Sequence, residues 1–169
     1  MKQLKNIAVA LVLFVAATGF VNAQSKIAHI NVSELLAEMP EMKAAQAELQ
    51  KLQETYRADI ESSMTELKNK YTQYSNEASA KSAEENEKRA LELQGFERNI
   101  GEAQQAAQQE LQKKQAELFE PISTKAKEAI EKVAAAQGYE DVIDATQGGG
   151  LIVATGPDLL TAVKQELGF

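Results

Sequence analysis

Residues 42–74 read MKAAQAELQKLQETYRADIESSMTELKNKYTQY, and this stretch decides the fold. Its apolar positions are Met42, Ala45, Leu49, Leu52, Tyr56, Ile60, Met64, Leu67, Tyr71 and Tyr74. Every step between them is three or four residues, which places them all on one face of a helix. Charged, amide and hydroxyl side chains and alanines fill the other positions. Steps of four predominate from Leu52 to Met64, which moves the local repeat away from seven and favours a straight or weakly wound helix. A helix of about 35 residues is about 50 Å long, so it forms an arm rather than part of a globule.

Moving toward the C-terminus, residues 75–89 (SNEASAKSAEENEKR) break the stripe with small, polar and charged side chains, and they read as the frayed tip of a hairpin, with continuation of the two helices into it left open. A second stripe follows at Leu93, Phe96, Ile100, Ala103, Ala107, Leu111, Leu118 and Ile122. Antiparallel packing of the two helices buries both seams against each other. Gly95 and Gly101 weaken the returning helix and point to bending or close packing there. Pro121 removes a backbone hydrogen bond to Glu117 and is expected to kink or restart the helix, marking the junction between arm and body. The helix then resumes through Ala126, Ile130 and Val133 and stops at Gly138.

The flanking segments form the body. Residues 26–32 (KIAHINV) read as a short strand. Asn31 and Glu34, three apart, cap a short helix ahead of Leu35 and Leu36. Pro40 ends that helix and opens the next. Beyond Gly138, residues 139–145 (YEDVIDA) read as a second strand, residues 146–150 (TQGGG) as a turn and residues 151–155 (LIVAT) as a third strand. Asp158 then caps a closing amphipathic helix through Leu160, Val163 and Leu167. The expected fold is mainly α with a small β body, from which the hairpin projects. One strand precedes the arm and two follow it. So small a sheet has exposed edges and little core, and oligomerisation is expected to complete it.

Residues 1–23 have the layout of a secretory signal peptide. Lys2 and Lys5 precede an apolar run from Ile7 to Phe20, and Val21-Asn22-Ala23 supplies a cleavage site. Residues 24–169 then form a single domain, with a body of 24–40 and 121–169 and an arm of 41–120. Losing the two lysines takes the net charge from −7 to −9. That balance argues against a nucleic-acid partner, which requires clustered cations. With no Cys in the chain, stability in an exported setting must come from packing and assembly rather than disulfides.

The order of segments resembles the Skp/OmpH family of periplasmic chaperones over essentially the whole mature chain. The resemblance is carried by the KIAHINV strand, the SELLAEMPE segment, the charged hairpin, the block ISTKAKEAIEKVAAAQGYEDVIDA and the closing PDLLTAVKQELG helix. It implies a homotrimer in which the small sheets join into a β-barrel. Three arms then enclose a cavity that holds unfolded outer-membrane β-barrel proteins without ATP. The body residues expected at the oligomer contact are Ile27, Ile30, Val142, Ile143 and Ile152. One departure stands out. The family's well-known members have basic arms, whereas residues 41–120 carry 11 Lys and Arg against 16 Asp and Glu, a net of −5. Lipopolysaccharide or anionic-membrane binding through the arms is therefore not expected.

No catalytic constellation stands out. His29 is the single histidine and lacks the Cys or carboxylate partners of a metal or nucleophilic site. Gly148 to Gly150 suits a turn better than a phosphate loop, because no Lys-Ser or Lys-Thr follows. Neither enzyme activity nor a cofactor is expected. The candidate client-contact residues lie toward the arm tip: Met64, Leu67, Tyr71, Tyr74, Leu93 and Phe96. Most of them are expected to hold the two helices together, while Met and Tyr also suit adaptable, promiscuous contact. A structural coiled-coil spacer at the outer membrane is the alternative function for the same fold.

Overall fold

A computed structural model of the chain describes residues 26–149 and 151–169; the expected signal peptide lies outside the described residues. Strand β1 (Ile27–Ile30) leads into α1 (Val32–Glu38). The Asn31 side chain caps α1, accepting the Glu34 N–H at 3.0 Å. Pro40 is the first residue of α2 (Pro40–Glu77, 38 residues). A 3₁₀ turn, Ala78–Ala80, separates it from α3 (Ala83–Gln137, 55 residues). At 1.5 Å per residue these helices are about 57 and about 82 Å long. Their ion pairs fix an antiparallel hairpin: Glu41 meets Lys125, Glu48 meets Lys114, Glu92 meets Lys70 and Glu77 meets Arg89.

The tip is a short turn, and both helices extend into the polar segment. α2 continues to Glu77, and α3 begins at Ala83 under a Ser82 cap whose hydroxyl accepts the Glu85 N–H at 3.2 Å. The Asn86 amide donates to the Ala78 carbonyl at 2.9 Å and closes the turn. Pro121 neither ends nor restarts α3. Leu118 and Phe119 before it, and Ile122 and Ala126 after it, all pack on the body core. That packing offsets the roughly 3 kcal/mol an internal proline costs.

Gly138 adopts a left-handed conformation (φ 79°) and ends α3. The Tyr139 N–H then bonds the Ala134 carbonyl at 2.9 Å, which turns the chain into β2 (Asp141–Asp144). β2 pairs parallel to β1, with His29 opposite Ile143. A parallel pair needs a long crossover, and the hairpin supplies it. The expected third strand is absent: residues 151–155 have no ladder partner. Backbone amides and carbonyls need a partner to make a strand, and this chain offers the segment none. β1 is covered on its other side by the chain around Asp158, through His29 N–H to Pro157 O at 2.9 Å and Leu159 N–H to His29 O at 3.0 Å. The N-cap position of the closing helix α4 (Leu160–Leu167) is Leu159 rather than Asp158, and the Asp158 carboxylate just before it accepts the Leu160 N–H at 2.8 Å.

One core lies where these pieces meet. Ile30, Leu35, Met39, Leu159 and Val163 are fully buried there. Met42 and Ala45 extend it into the base of the arm, and Ala126, Ala129, Val133 and Ala134 line it from α3. The small side chains of α3 let α1 and α4 approach closely. Close packing does not explain the arm glycines, since a Cβ at Gly95 or Gly101 would touch nothing within 4 Å. Gly101→Ala is therefore expected to stabilise the arm by about 0.5–1 kcal/mol through helix propensity alone. A raised melting temperature by circular dichroism checks this; a lowered one means the glycine conformation is needed.

Candidate functional site

The arm's apolar stripe divides into residues that bind the hairpin together and residues that face outward. Tyr74 belongs to the first kind. Its hydroxyl donates to Glu92 at 2.8 Å, and the Arg89 guanidinium lies 4.6 Å from its ring centre. Lys70 bonds Glu92 at 2.8 Å and sits 5.0 Å above the Phe96 ring. Leu67, Leu93 and Phe96 are half-buried in or beside the seam. Met64 and Tyr71 face outward, at 54% and 64% exposure. Tyr71 and Leu93 border a shallow groove that also contains Leu91, itself 63% exposed. The sequence reading overlooked Leu91. The signal was there: a leucine two residues out of step with the seam position Leu93.

Charge pairing stiffens the tip. Hydrogen bonds from Lys70 and Tyr74 hold the Glu92 carboxyl below its usual range. Gln73 and Arg89 do the same for Glu77. In return, the Glu92 contact raises Lys70 and Tyr74. A carboxylate depressed in the folded state stabilises it above the unfolded value, about 4.3, and loses that effect as pH falls through the folded value. Acidification below about pH 4 is thus expected to loosen the tip. Amide exchange at residues 75–89 should quicken there relative to the body. An unchanged ratio of tip to body exchange between neutral pH and pH 3, after correction for intrinsic rates, would overturn the link.

The outer face of the body is apolar and uncovered. Ile27 and Ile143 are 38% and 42% exposed, Val153 is 69% and Ile152 is 96%. Of the other residues expected at the oligomer contact, Ile30 is fully buried in the chain's own core and Val142 packs half-buried against it. The alternation of β1 turns Ala28 and Ile30 inward and Ile27 and His29 outward. Gly156 crosses β1 so closely that a Cβ there would stand 2.9 Å from the Ile27 carbonyl. His29 Nδ1 is buried beside it without a hydrogen-bond partner. Among the described residues no group of three His, Cys, Asp or Glu side chains could hold a metal ion. Asp144 has a structural role: burial raises its carboxyl, but bonds from the Thr146 hydroxyl and N–H and the Val32 N–H outweigh this and lower it.

A hairpin arm on a two-stranded parallel body is distinctive enough to compare with known proteins. The model of the family described as outer membrane protein (OmpH-like) matches residues 26–167. The chain belongs to the OmpH-like family. A chaperone protein Skp from Pectobacterium atrosepticum is 26% identical to this OmpH-like chain over 160 residues, covering 95% of the chain and 96% of the relative. The crystal structure of a Caulobacter crescentus protein, described as a candidate OmpH-like outer membrane chaperone, superposes with a TM-score of 0.75 at 17% identity. The overlap covers 84% of the OmpH-like chain and 83% of the other. At that identity the likeness establishes the shared fold. No described helix of the OmpH-like chain is long and apolar enough to cross a membrane.

Proposed function

We propose that this chain is a periplasmic, ATP-independent holdase chaperone that binds unfolded outer-membrane β-barrel proteins and prevents their aggregation. The carrying observation is the arm. Met64, Tyr71 and Leu91 stand exposed on a long, charged hairpin, where they serve neither its seam nor a body core. Weak, spread apolar contacts of that kind suit many clients, because no single one demands a particular sequence. Membership of the OmpH-like family and the relative named as a chaperone support the same reading. Holding a client in this way needs no catalytic group, cofactor or nucleic acid.

The working form in this reading is a homotrimer. Among the described residues β2 has one strand neighbour, and Ile143, Ile152 and Val153 expose apolar surface on the body. Association of three such bodies covers that surface and pairs the free backbone groups. The net −5 of the arm disfavours lipopolysaccharide as a partner. The test is light scattering. An unfolded β-barrel protein is diluted from urea with and without the purified chain. Suppressed scattering without nucleotide is the expected result. Unsuppressed aggregation favours the alternative, an envelope spacer.

A further inference from the structure

The middle of the arm holds a groove whose chemistry differs from the rest of the hairpin. It has a volume of about 560 Å³ and lies between α2 and α3. Ile60, Phe96, Ile100 and Ala107 give it an apolar floor, and Asp59 and Glu110 stand on its rim. No lysine or arginine lines it. Neither Asp59 nor Glu110 takes part in an ion pair among the described residues. Of the two lysines nearest to Glu110 in sequence, Lys113 pairs with Glu117 at 3.8 Å and Lys114 with Glu48 at 3.0 Å, so Lys114 reaches Glu110 only through its longer-range field. The groove on the other face of the same arm segment is balanced, with Arg57 and Glu61 both in its lining.

We propose that this groove is a client subsite for cationic amphipathic segments, those in which a Lys or Arg neighbours an aliphatic or aromatic residue. A long basic side chain lays its methylene stem on an apolar floor while its charged head reaches outward. Here the head arrives at Asp59 or Glu110, and the neighbouring apolar side chain sits on Ile60, Phe96 and Ile100. An acidic segment meets two carboxylates that have no ion-pair partner among the described residues and is disfavoured. Specificity of this kind comes as much from the repelled partner as from the attracted one. Small residues on α3 make the room: larger side chains at Ala103 and Ala106, both exposed walls of the groove, would fill it.

The inference rests on the client-holding function proposed above, and two readouts separate them. Two labelled peptides share one apolar sequence and differ only in carrying lysines or glutamates at the same positions. Their binding to the full mature chain is measured by fluorescence anisotropy. The lysine peptide is expected to bind about three- to tenfold more tightly at low salt, the scale of exposed ion pairs. That preference should shrink at about 0.5 M NaCl, where screening is short-ranged. Asp59→Asn with Glu110→Gln should bring the ratio to about one, and Ala106→Leu should weaken both peptides. Circular dichroism confirms that helix content is retained. A ratio near one in the unaltered chain, or a preference that survives the double substitution, overturns the groove assignment. Scattering suppression measured on the same samples tests client holding independently. Intact suppression with no peptide preference defeats the groove alone. Peptide preference without suppression defeats the holdase function and leaves a cation-selective groove.

Discussion

Ile152→Asp is expected to leave the single chain folded and to abolish its self-association. Ile152 is 96% exposed in the isolated chain, so a carboxylate there meets water and costs the monomer almost nothing. In the proposed trimer the same position is covered by a neighbouring body. An unpaired carboxylate buried there costs several kcal/mol, repeated at each of three contacts, and each 1.4 kcal/mol is about a tenfold change in association. Sedimentation should shift from three times the chain mass to one, with the circular dichroism spectrum unchanged. Ile152→Val, which keeps the apolar surface, should remain assembled. A trimeric Ile152→Asp protein would place residues 151–155 outside the interface and remove the main argument for it.

Leu35→Ala should have the largest effect within one chain. Leu35 is fully buried where α1 meets the other elements of the body. Replacing a buried leucine by alanine costs about 2–5 kcal/mol, including the cavity it leaves. The body core has little to spare. Of its thirteen buried residues, five are already alanine, so each larger side chain carries a disproportionate share. With total stabilities of about 5–15 kcal/mol for ordinary domains, the body should lose most of its urea resistance. Its amides should exchange fast while the hairpin seam, built from its own contacts, stays protected. A urea midpoint close to that of the unaltered chain would show that the body draws its stability from elsewhere.

What the sequence revealed depended on how local the cause was. Asn31 with Glu34, Pro40 and Gly138 each act within a few residues, and each marks the boundary expected of it. The two stripes were legible because helical periodicity repeats the same message many times. The helix ends at the tip stayed open because its polar composition hid a short local signal: Ser82 and Glu85, three apart, are a helix start. At Pro121 the expected restart does not occur, since its local cost is overridden by packing from Leu118, Phe119, Ile122 and Ala126, which is also where the body core begins. The third strand could not be judged locally at all, because a strand exists only with a partner. The arm residues show the same limit. Spacing placed Tyr71 and Tyr74 on one stripe, yet only the arrangement of Glu92 and Arg89 around Tyr74 separates the seam residue from the exposed one.

The parallel pairing of β1 with β2 also dictates how the chain must come together in time. Lys26 and Glu140, which meet at the start of that pairing, are 114 residues apart in the chain. Closing a flexible loop of that length costs about 4 kcal/mol in entropy before any strand contact repays it. The hairpin removes most of that cost in advance. Its turn is local, and its seam zips from the tip toward the base through contacts that become adjacent one after another. When zipping reaches Glu41 and Lys125, the two strand segments are already neighbours. The high-contact-order step is thereby converted into a sequence of low-contact-order ones. During synthesis from the N-terminus, β1 emerges first and waits, unpaired, until the whole arm and β2 have followed. Slowing of hairpin closure should therefore slow body formation in equal measure.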